Sequence, residues 1–267
     1  MAINLKKYVC GAIILTICGT NIVPTVSSAM GNNDIITVND ISTDSSIDIP
    51  DLSNIKDLSD TYIPETSNIS LLDSLTTQNI IELNQLVQSV QSMDPSITEN
   101  QLNNYVIYLL KERSNGIRLY ALPYIQDNLN TAELALFNAN PIKGLNVCSM
   151  AYYATNKAAE LYESNTLYQG NGDAYRHAHW SAAMANAYGS SYAESWGNAH
   201  ESESPAGYDK TMDLFNNRVG RELGVSTGGG DRFTMIMQSK LLNLIDNGKL
   251  RRIVNGVFTV TDSSGRK

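Results

Sequence analysis

Hydrophobic residues recur at a helical period over most of the chain. In the segment TTQNIIELNQLVQSVQSM they form one stripe that contains Ile80, Leu83, Val87 and Val90. The next segment, TENQLNNYVIYLLKERSNG, opens with the Thr-x-x-Gln pattern of a capping box and stops at Gly116. Both segments are therefore predicted to be amphipathic helices.

The helical pattern continues through the second half of the chain. TAELALFNA predicts a short helix, and the helix after it has Asn140 as its N-cap and Pro141 in its first turn. Three more helices are expected at about 173–188, 190–201 and 207–223. The glycines of STGGGD interrupt the pattern, and DRFTMIMQSKLLNLIDNG predicts a further amphipathic helix.

The pattern changes to strands at the C-terminal end. LRRIVNGVFTVT contains two β-prone runs joined by Asn255-Gly256, which is a strong signal for a hairpin. The sequence therefore predicts a mainly α, multi-helix single domain with a small C-terminal β-hairpin. We expect an N-terminal helical segment at 71–140, and a helical part rich in His, Asp and Asn, which ends in the hairpin, at 141–267.

The first residues have the layout of a signal peptide. Lys6 and Lys7 precede the apolar run YVCGAIILTICG, and small residues surround a cleavage position after Ala29. Residues 1–29 are therefore predicted to be a bacterial signal peptide, and an uncleaved anchor is the alternative. No later segment is apolar and long enough to span a membrane, so the mature chain is expected to be secreted, in the extracellular space or on the cell surface.

Residues 30–70 are predicted to be a flexible acidic linker or a propeptide. Residues 30–66 contain eight acidic residues and one lysine, and few of their side chains could build a core.

The whole chain has a formal charge of -8 and no basic stripe with interleaved aromatic residues, so nucleic acid is not an expected partner. Removal of the leader leaves Cys148 as the single cysteine, which excludes an intramolecular disulfide bond.

All three histidines of the chain lie within one short segment. On a helix, Asp173 and His177 are four residues apart and share a face. His179 points roughly 200° away from His177, so the two cannot clamp one ligand from the same helix. His179 is accordingly expected to be structural, or to support a site residue without contacting the ligand itself.

Two later motifs supply further polar groups. His200 and Glu201 end the next predicted helix, and Asp213 and Asn217 fall on one face of the helix after it. We therefore expect three helices to bring six side chains together as a candidate catalytic site: Asp173, His177, His200, Glu201, Asp213 and Asn217.

Histidines beside carboxylates favour either a divalent metal site or a His–Asp acid/base pair. The predicted metal ligands are His177, His200 and Asp213, with zinc as the first choice of ion. Strong motifs are absent, because HESES lacks the second histidine of HExxH, and there is no GxSxG or P-loop. A purely structural network of buried polar groups is the alternative.

The runs DAYRHAHWSAAM, WGNAHE and MDLFNNRVGRELG resemble an uncharacterised bacterial domain of secreted and toxin-associated proteins. The shared pattern is RHAxW, a later HE and then MDxxNNxxG, and the resemblance covers about 140–260. It implies a secreted bacterial protein, but no established activity comes with it.

These observations predict a secreted hydrolase that acts on an ester or phosphoester. A metal-dependent mechanism is the first choice. A lipid of the cell envelope is a reasonable substrate, although the sequence does not identify one. His177 would be a ligand or general base oriented by Asp173, and His200 and Glu201 would be ligand and acid/base. Asp213 and Asn217 would position the metal, water or substrate. The alternative is a non-enzymatic secreted effector, bacteriocin-like or surface-binding, whose polar cluster is structural.

Overall fold

A computed structural model describes residues 51–114, 129–230 and 232–267 of the chain. The predicted signal peptide, the first part of the predicted linker and Gly116 lie outside the described residues. The described residues form ten α-helices: α1 (Leu52–Lys56), α2 (Ile69–Asp73), α3 (Thr77–Met93), α4 (Glu99–Ser114), α5 (Thr131–Ala139), α6 (Pro141–Leu161), α7 (Asn171–Tyr188), α8 (Ser190–His200), α9 (Tyr208–Thr227) and α10 (Phe233–Asp246). A hairpin of β1 (Arg251–Val254) and β2 (Val257–Val260) follows them.

The fold confirms the predicted class: a mainly α body with a C-terminal hairpin. Thr98 and Gln101 form the expected capping box, with the backbone NH of each donating to the side chain of the other. The Asn140 side chain caps α6 by accepting from Lys143 N at 3.1 Å. Asn255 and Gly256 both adopt positive φ, as a two-residue hairpin turn requires.

The central helix of the fold is α7, which packs against α6, α8, α9 and α10. It runs parallel to α9, since Ala178 lies against Gly220 and Ala182, one turn later, lies against Gly224. A Cβ atom added at either glycine would collide with the facing backbone carbonyl. The two glycines therefore let α9 approach α7 closely, and this approach brings polar side chains of both helices together.

The last part of the predicted linker or propeptide, residues 51–70, contains regular secondary structure. They contain α1 and a short 3₁₀ turn, and the Ile55 side chain is fully buried. Polar side chains of α4 hold the backbone of this segment: Asn104 Nδ2, for example, donates to Ser59 O at 2.9 Å. The buried isoleucine and the amides of α4 attach this segment to the helical body.

Helices on both sides of residue 140 pack against one another. Helix α3 packs on α6, and α5 packs on both α6 and α8. One hydrophobic cluster accordingly joins residues from both sides of this position, such as Leu83 in α3 and Trp196 in α8. Within the described residues, no helix combines the length and hydrophobicity that a membrane span needs.

Candidate functional site

The first turns of α7 present three polar side chains to one place. The Oδ2 atom of Asp173 accepts from the backbone NH of Gln169 at 2.7 Å, which fixes the carboxylate at the start of the helix. Its Oδ1 atom accepts from Arg176 Nη2 at 2.7 Å and lies 3.7 Å from His177 Nε2. The predicted helix therefore places Asp173 and His177 on a shared face.

Helix α9 adds a second carboxylate to this face. Asp213 Oδ1 lies 3.2 Å from His177 Nε2. The exposed side-chain fractions are 3% for Asp173, 1% for His177 and 11% for Asp213. One ligand atom of each residue lies within 4.8 Å of the others, so these three residues could hold a metal ion.

Arg176 is part of this cluster and was not among the predicted site residues. Its Nη2 atom lies 2.6 Å from His177 Nε2 as well as 2.7 Å from Asp173 Oδ1. A guanidinium has no acceptor atom, so it donates to both. His177 is therefore neutral in this arrangement, with its proton on Nδ1.

Asp213 has the most perturbed carboxyl group of the cluster. Burial and the neighbouring Asp173 carboxylate raise its pKa from 3.8 to about 9, and Glu201 and Asp209 act in the same direction. Arg176 opposes the rise. Without an additional cation, Asp213 carries a proton at neutral pH.

His200, at the C-terminal end of α8, borders the cluster. Its ring centroid is 5.9 Å from that of His177 and 5.3 Å from that of Trp180. The exposed fraction of its side chain is 29%, so solvent reaches it more readily than it reaches His177. Its Nε2 atom lies 4.0 Å from a carboxylate oxygen of the buried Glu201.

The other ring nitrogen of His200 is held by Glu133, a residue that sequence reasoning missed. His200 Nδ1 lies 2.8 Å from Glu133 Oε1. The second oxygen of the same carboxylate accepts from the backbone NH of Asn130 and completes the capping box of α5. The Asn130 side chain also donates to Ala199 O at 2.7 Å, so the start of α5 is bound to the end of α8.

The two neighbouring asparagines of α9 have different surroundings. Asn217 lies one turn after Asp213, and its Oδ1 atom accepts from Ser181 Oγ at 2.9 Å. Its Nδ2 atom is buried without a hydrogen-bond partner among the described residues. Asn216 instead binds both backbone groups of Arg251 at 2.9 Å and holds the hairpin.

His179 lies on a different side of α7, in agreement with the helical geometry. Its ring packs against Tyr153 and Tyr175. Burial, with a smaller effect of Lys157, lowers its pKa from 6.5 to about 3. Burial also raises the pKa of the Cys148 thiol, which disfavours the reactive thiolate.

The structure therefore brings four of the predicted residues close together: Asp173, His177, Asp213 and His200. Glu201 lies beside His200, and Asn217 lies one helical turn along α9. Among the described residues, the group with metal-binding geometry contains Asp173 where His200 was expected.

Comparison with known proteins supports a domain but not an activity. A family model described as a domain of unknown function (DUF6973) matches residues 134–249, which is less than half of the chain. The matched region begins one residue after Glu133 and contains the rest of the site. No curated protein and no solved structure matches the chain.

Proposed function

We propose that this protein is a secreted hydrolase that binds a divalent metal ion and cleaves an ester or phosphoester. The observation that carries the proposal is the buried group of Asp173, His177 and Asp213, supplied by two helices with three potential ligand atoms. The His200–Glu133 pair lies next to it, at the more accessible edge.

The donor set and its spacing suit a metal ion. Bonds of 2.0 to 2.2 Å to nitrogen and oxygen place neighbouring ligand atoms roughly 3.0 to 3.5 Å apart. The distances from His177 Nε2 to the two carboxylates, 3.2 Å and 3.7 Å, are close to this range. One imidazole with two carboxylates suits zinc first and manganese next.

Three protein ligands would leave coordination positions for water and substrate, as in catalytic metal sites. A metal ion bound there would lower the pKa of a coordinated water and polarise the substrate. The ligands Asp173 and Asp213 would contribute the negative charge that holds the ion.

His200 is the best-placed general base in the proposed reaction. Glu133 fixes its ring through Nδ1, which leaves Nε2 on the side of Glu201, 4.0 Å from that carboxylate. It would take a proton from the attacking water as the ester bond breaks, and could return that proton to the leaving oxygen. Glu201 would support the charged form of His200, and the Asn217 amide would position water or substrate.

The location and the substrate belong to the proposal as well. The signal-like residues 1–29 support export to the extracellular space or cell surface. An exported esterase or phosphodiesterase would meet lipids of the cell envelope, so phospholipids and phosphodiesters form the first substrate panel.

The test is hydrolysis of this panel by the full chain, with Zn²⁺ or Mn²⁺ and with EDTA. We expect activity that EDTA abolishes, and that falls at least 100-fold in His177→Ala and His200→Ala. Arg218→Gln is the matched control, because Arg218 pairs with Glu222 on the exposed face of α9. Full activity in both histidine variants would refute the assigned roles.

One observation favours a non-enzymatic alternative, a secreted effector or surface-binding module with a structural cluster. Arg176 pairs with Asp173 and hydrogen-bonds His177, so two of the three residues have a partner without a metal ion. This alternative predicts that His177→Ala lowers the melting temperature sharply, while EDTA changes neither the melting temperature nor any activity.

A further inference from the structure

The Arg176 guanidinium occupies the position that a metal ion would need. It donates to His177 Nε2 at 2.6 Å and to Asp173 Oδ1 at 2.7 Å. These are the atoms through which the two residues would bind a cation. A nitrogen lone pair that accepts from a guanidinium cannot bind a metal ion at the same time.

We infer that Arg176 is a built-in cation of the metal-free site, which a divalent metal ion displaces, and that it then binds an anionic group of the substrate. This inference rests on the proposed function, because it assigns Arg176 a role in the same site. It also narrows the substrate to one with a phosphate or phosphonate-like group near the scissile bond.

The Arg176 side chain is more exposed than those of the two residues that it contacts, so it can move toward solvent. The exposed fraction of its side chain is 22%, whereas the fractions for Asp173 and His177 are 3% and 1%. The two ligands are therefore fixed in the interior, while the guanidinium lies at its edge. Arg176 is also one helical turn before Trp180, so it lies on the helical face of a residue whose ring contacts His200, the proposed base.

The local charge explains why an anion would need Arg176. Asp173, Glu201 and Asp209 are all close enough to Asp213 to raise the pKa of its carboxyl group. An anionic substrate would be repelled by these carboxylates unless positive charge is added. A metal ion neutralises its two carboxylate ligands and releases Arg176, whose planar fork suits a phosphate group. Metal and anion should therefore bind with positive coupling.

The first test is calorimetric titration of Zn²⁺ and Mn²⁺ into the full-length wild type, Arg176→Gln and the control Arg218→Gln. If Arg176 competes with the metal ion, Arg176→Gln binds it at least 10-fold more tightly than wild type, and Arg218→Gln binds it like wild type. Equal or weaker binding by Arg176→Gln would overturn the competition. If none of the three proteins binds metal, the proposed metal site fails and the inference fails with it.

A thermal-shift measurement covers the case that Arg176→Gln is unstable. Without metal this variant should melt below wild type, because Asp173 loses its charge partner. Saturating Zn²⁺ should then raise its melting temperature by more than it raises that of wild type. A smaller rise than in wild type would contradict the inference.

The second test adds phenylphosphonate, which cannot be hydrolysed as an ester, to the metal-saturated proteins. We expect wild type to bind it at least 10-fold more tightly than Arg176→Gln does, with Arg176→Lys in between. Metal-free wild type should bind it weakly. Equal affinity of wild type and Arg176→Gln would overturn the anion-binding role while leaving the metal site intact.

Discussion

At the scale of single residues, the site contains two buried carboxyl groups with different partners. Asp173 accepts from Arg176 and from the backbone NH of Gln169. Asp213 Oδ1 has no hydrogen-bond partner among the described residues, and burial beside Asp173 raises the pKa of this carboxyl group to about 9. Asp213 therefore carries a proton at neutral pH in the metal-free protein.

This difference predicts opposite effects of two equivalent substitutions. The pKa of Asp213 is raised on folding from 3.8 to about 9, so folding keeps a proton on this carboxyl group. The stability that this proton provides is full below pH 3.8 and is lost progressively as the pH rises to about 9. Asp213→Asn should therefore stabilise the metal-free protein at pH 8 by roughly 1 to 3 kcal/mol. Asp173→Asn should destabilise it by about 2 to 4 kcal/mol, because it breaks a buried ion pair.

Urea unfolding in EDTA at pH 5 and pH 8 measures both effects. The gain from Asp213→Asn should be larger at pH 8 than at pH 5. A loss of stability in Asp213→Asn at both pH values would contradict the protonated state assigned to this residue.

His179 predicts a separate sensitivity to acid. Burial lowers its pKa to about 3, so its neutral form contributes stability above pH 6.5 that is lost as the pH falls. Between pH 6.5 and pH 4 the loss should approach about 3 kcal/mol. His179→Gln should lack this component, which unfolding curves across that range would detect as a flatter pH profile; an unchanged profile would argue against it.

At the scale of helices, the capping box of α5 has two tasks. Glu133 satisfies the first turn of its own helix with one oxygen and holds His200 of α8 with the other. Sequence reasoning identifies helix starts from such patterns, and this pattern is fully explained by capping alone. The second task became visible only when the docking of α5 on α8 was known.

Glu133→Gln separates the two tasks, because glutamine also completes a capping box. The unfolding free energy should change by less than about 1 kcal/mol, since the cap is retained. In wild type, neutral His200 should carry its proton on Nδ1, because a carboxylate can only accept. Glu133→Gln should populate the other tautomer, which ¹⁵N NMR of the imidazole distinguishes. An unchanged tautomer would show that Glu133 does not orient the ring.

The contact between α7 and α9 sets the distance between His177 and Asp213. Gly220→Ala would place a Cβ atom against the Ala178 carbonyl and force the helices apart. We expect a loss of about 1 to 3 kcal/mol of stability and a weaker metal site. Gly229→Ala is the control, because a Cβ there meets open space. Denaturant unfolding and metal titration of both variants test this, and a neutral Gly220→Ala would contradict the close approach.

At the scale of the whole molecule, the sequence predicted most of the architecture, because period and capping signals agree along the chain. Helices α7 and α8 begin or end within two residues of their expected positions, and the hairpin turn is at Asn255-Gly256. Helix α9 continues to Thr227, beyond its predicted end at 223. At residues 51–70, contacts with α4 that composition does not reveal hold the backbone in place.

Part of the site could be predicted, because the spacing of residues along a helix fixes which side chains share a face. Spacing along one helix places Asp173 beside His177, and the row on α9 indicates Asp213 and Asn217. Arg176 and Glu133 were not among the predicted site residues, because their roles depend on contacts that spacing alone does not fix. Arg176 bends back along its own helix, and Glu133 reaches His200 from a helix distant in sequence.

The central claim is that Asp173, His177 and Asp213 bind a metal ion. The most direct measurement is elemental analysis of the full-length protein, purified without a histidine tag after exposure to Zn²⁺ and Mn²⁺ and removal of free metal. We predict about one equivalent of metal in wild type and in Arg218→Gln, and less than about a tenth of that in His177→Ala and Asp213→Ala. Wild type without bound metal, or histidine and aspartate variants that keep a full equivalent, would contradict the account.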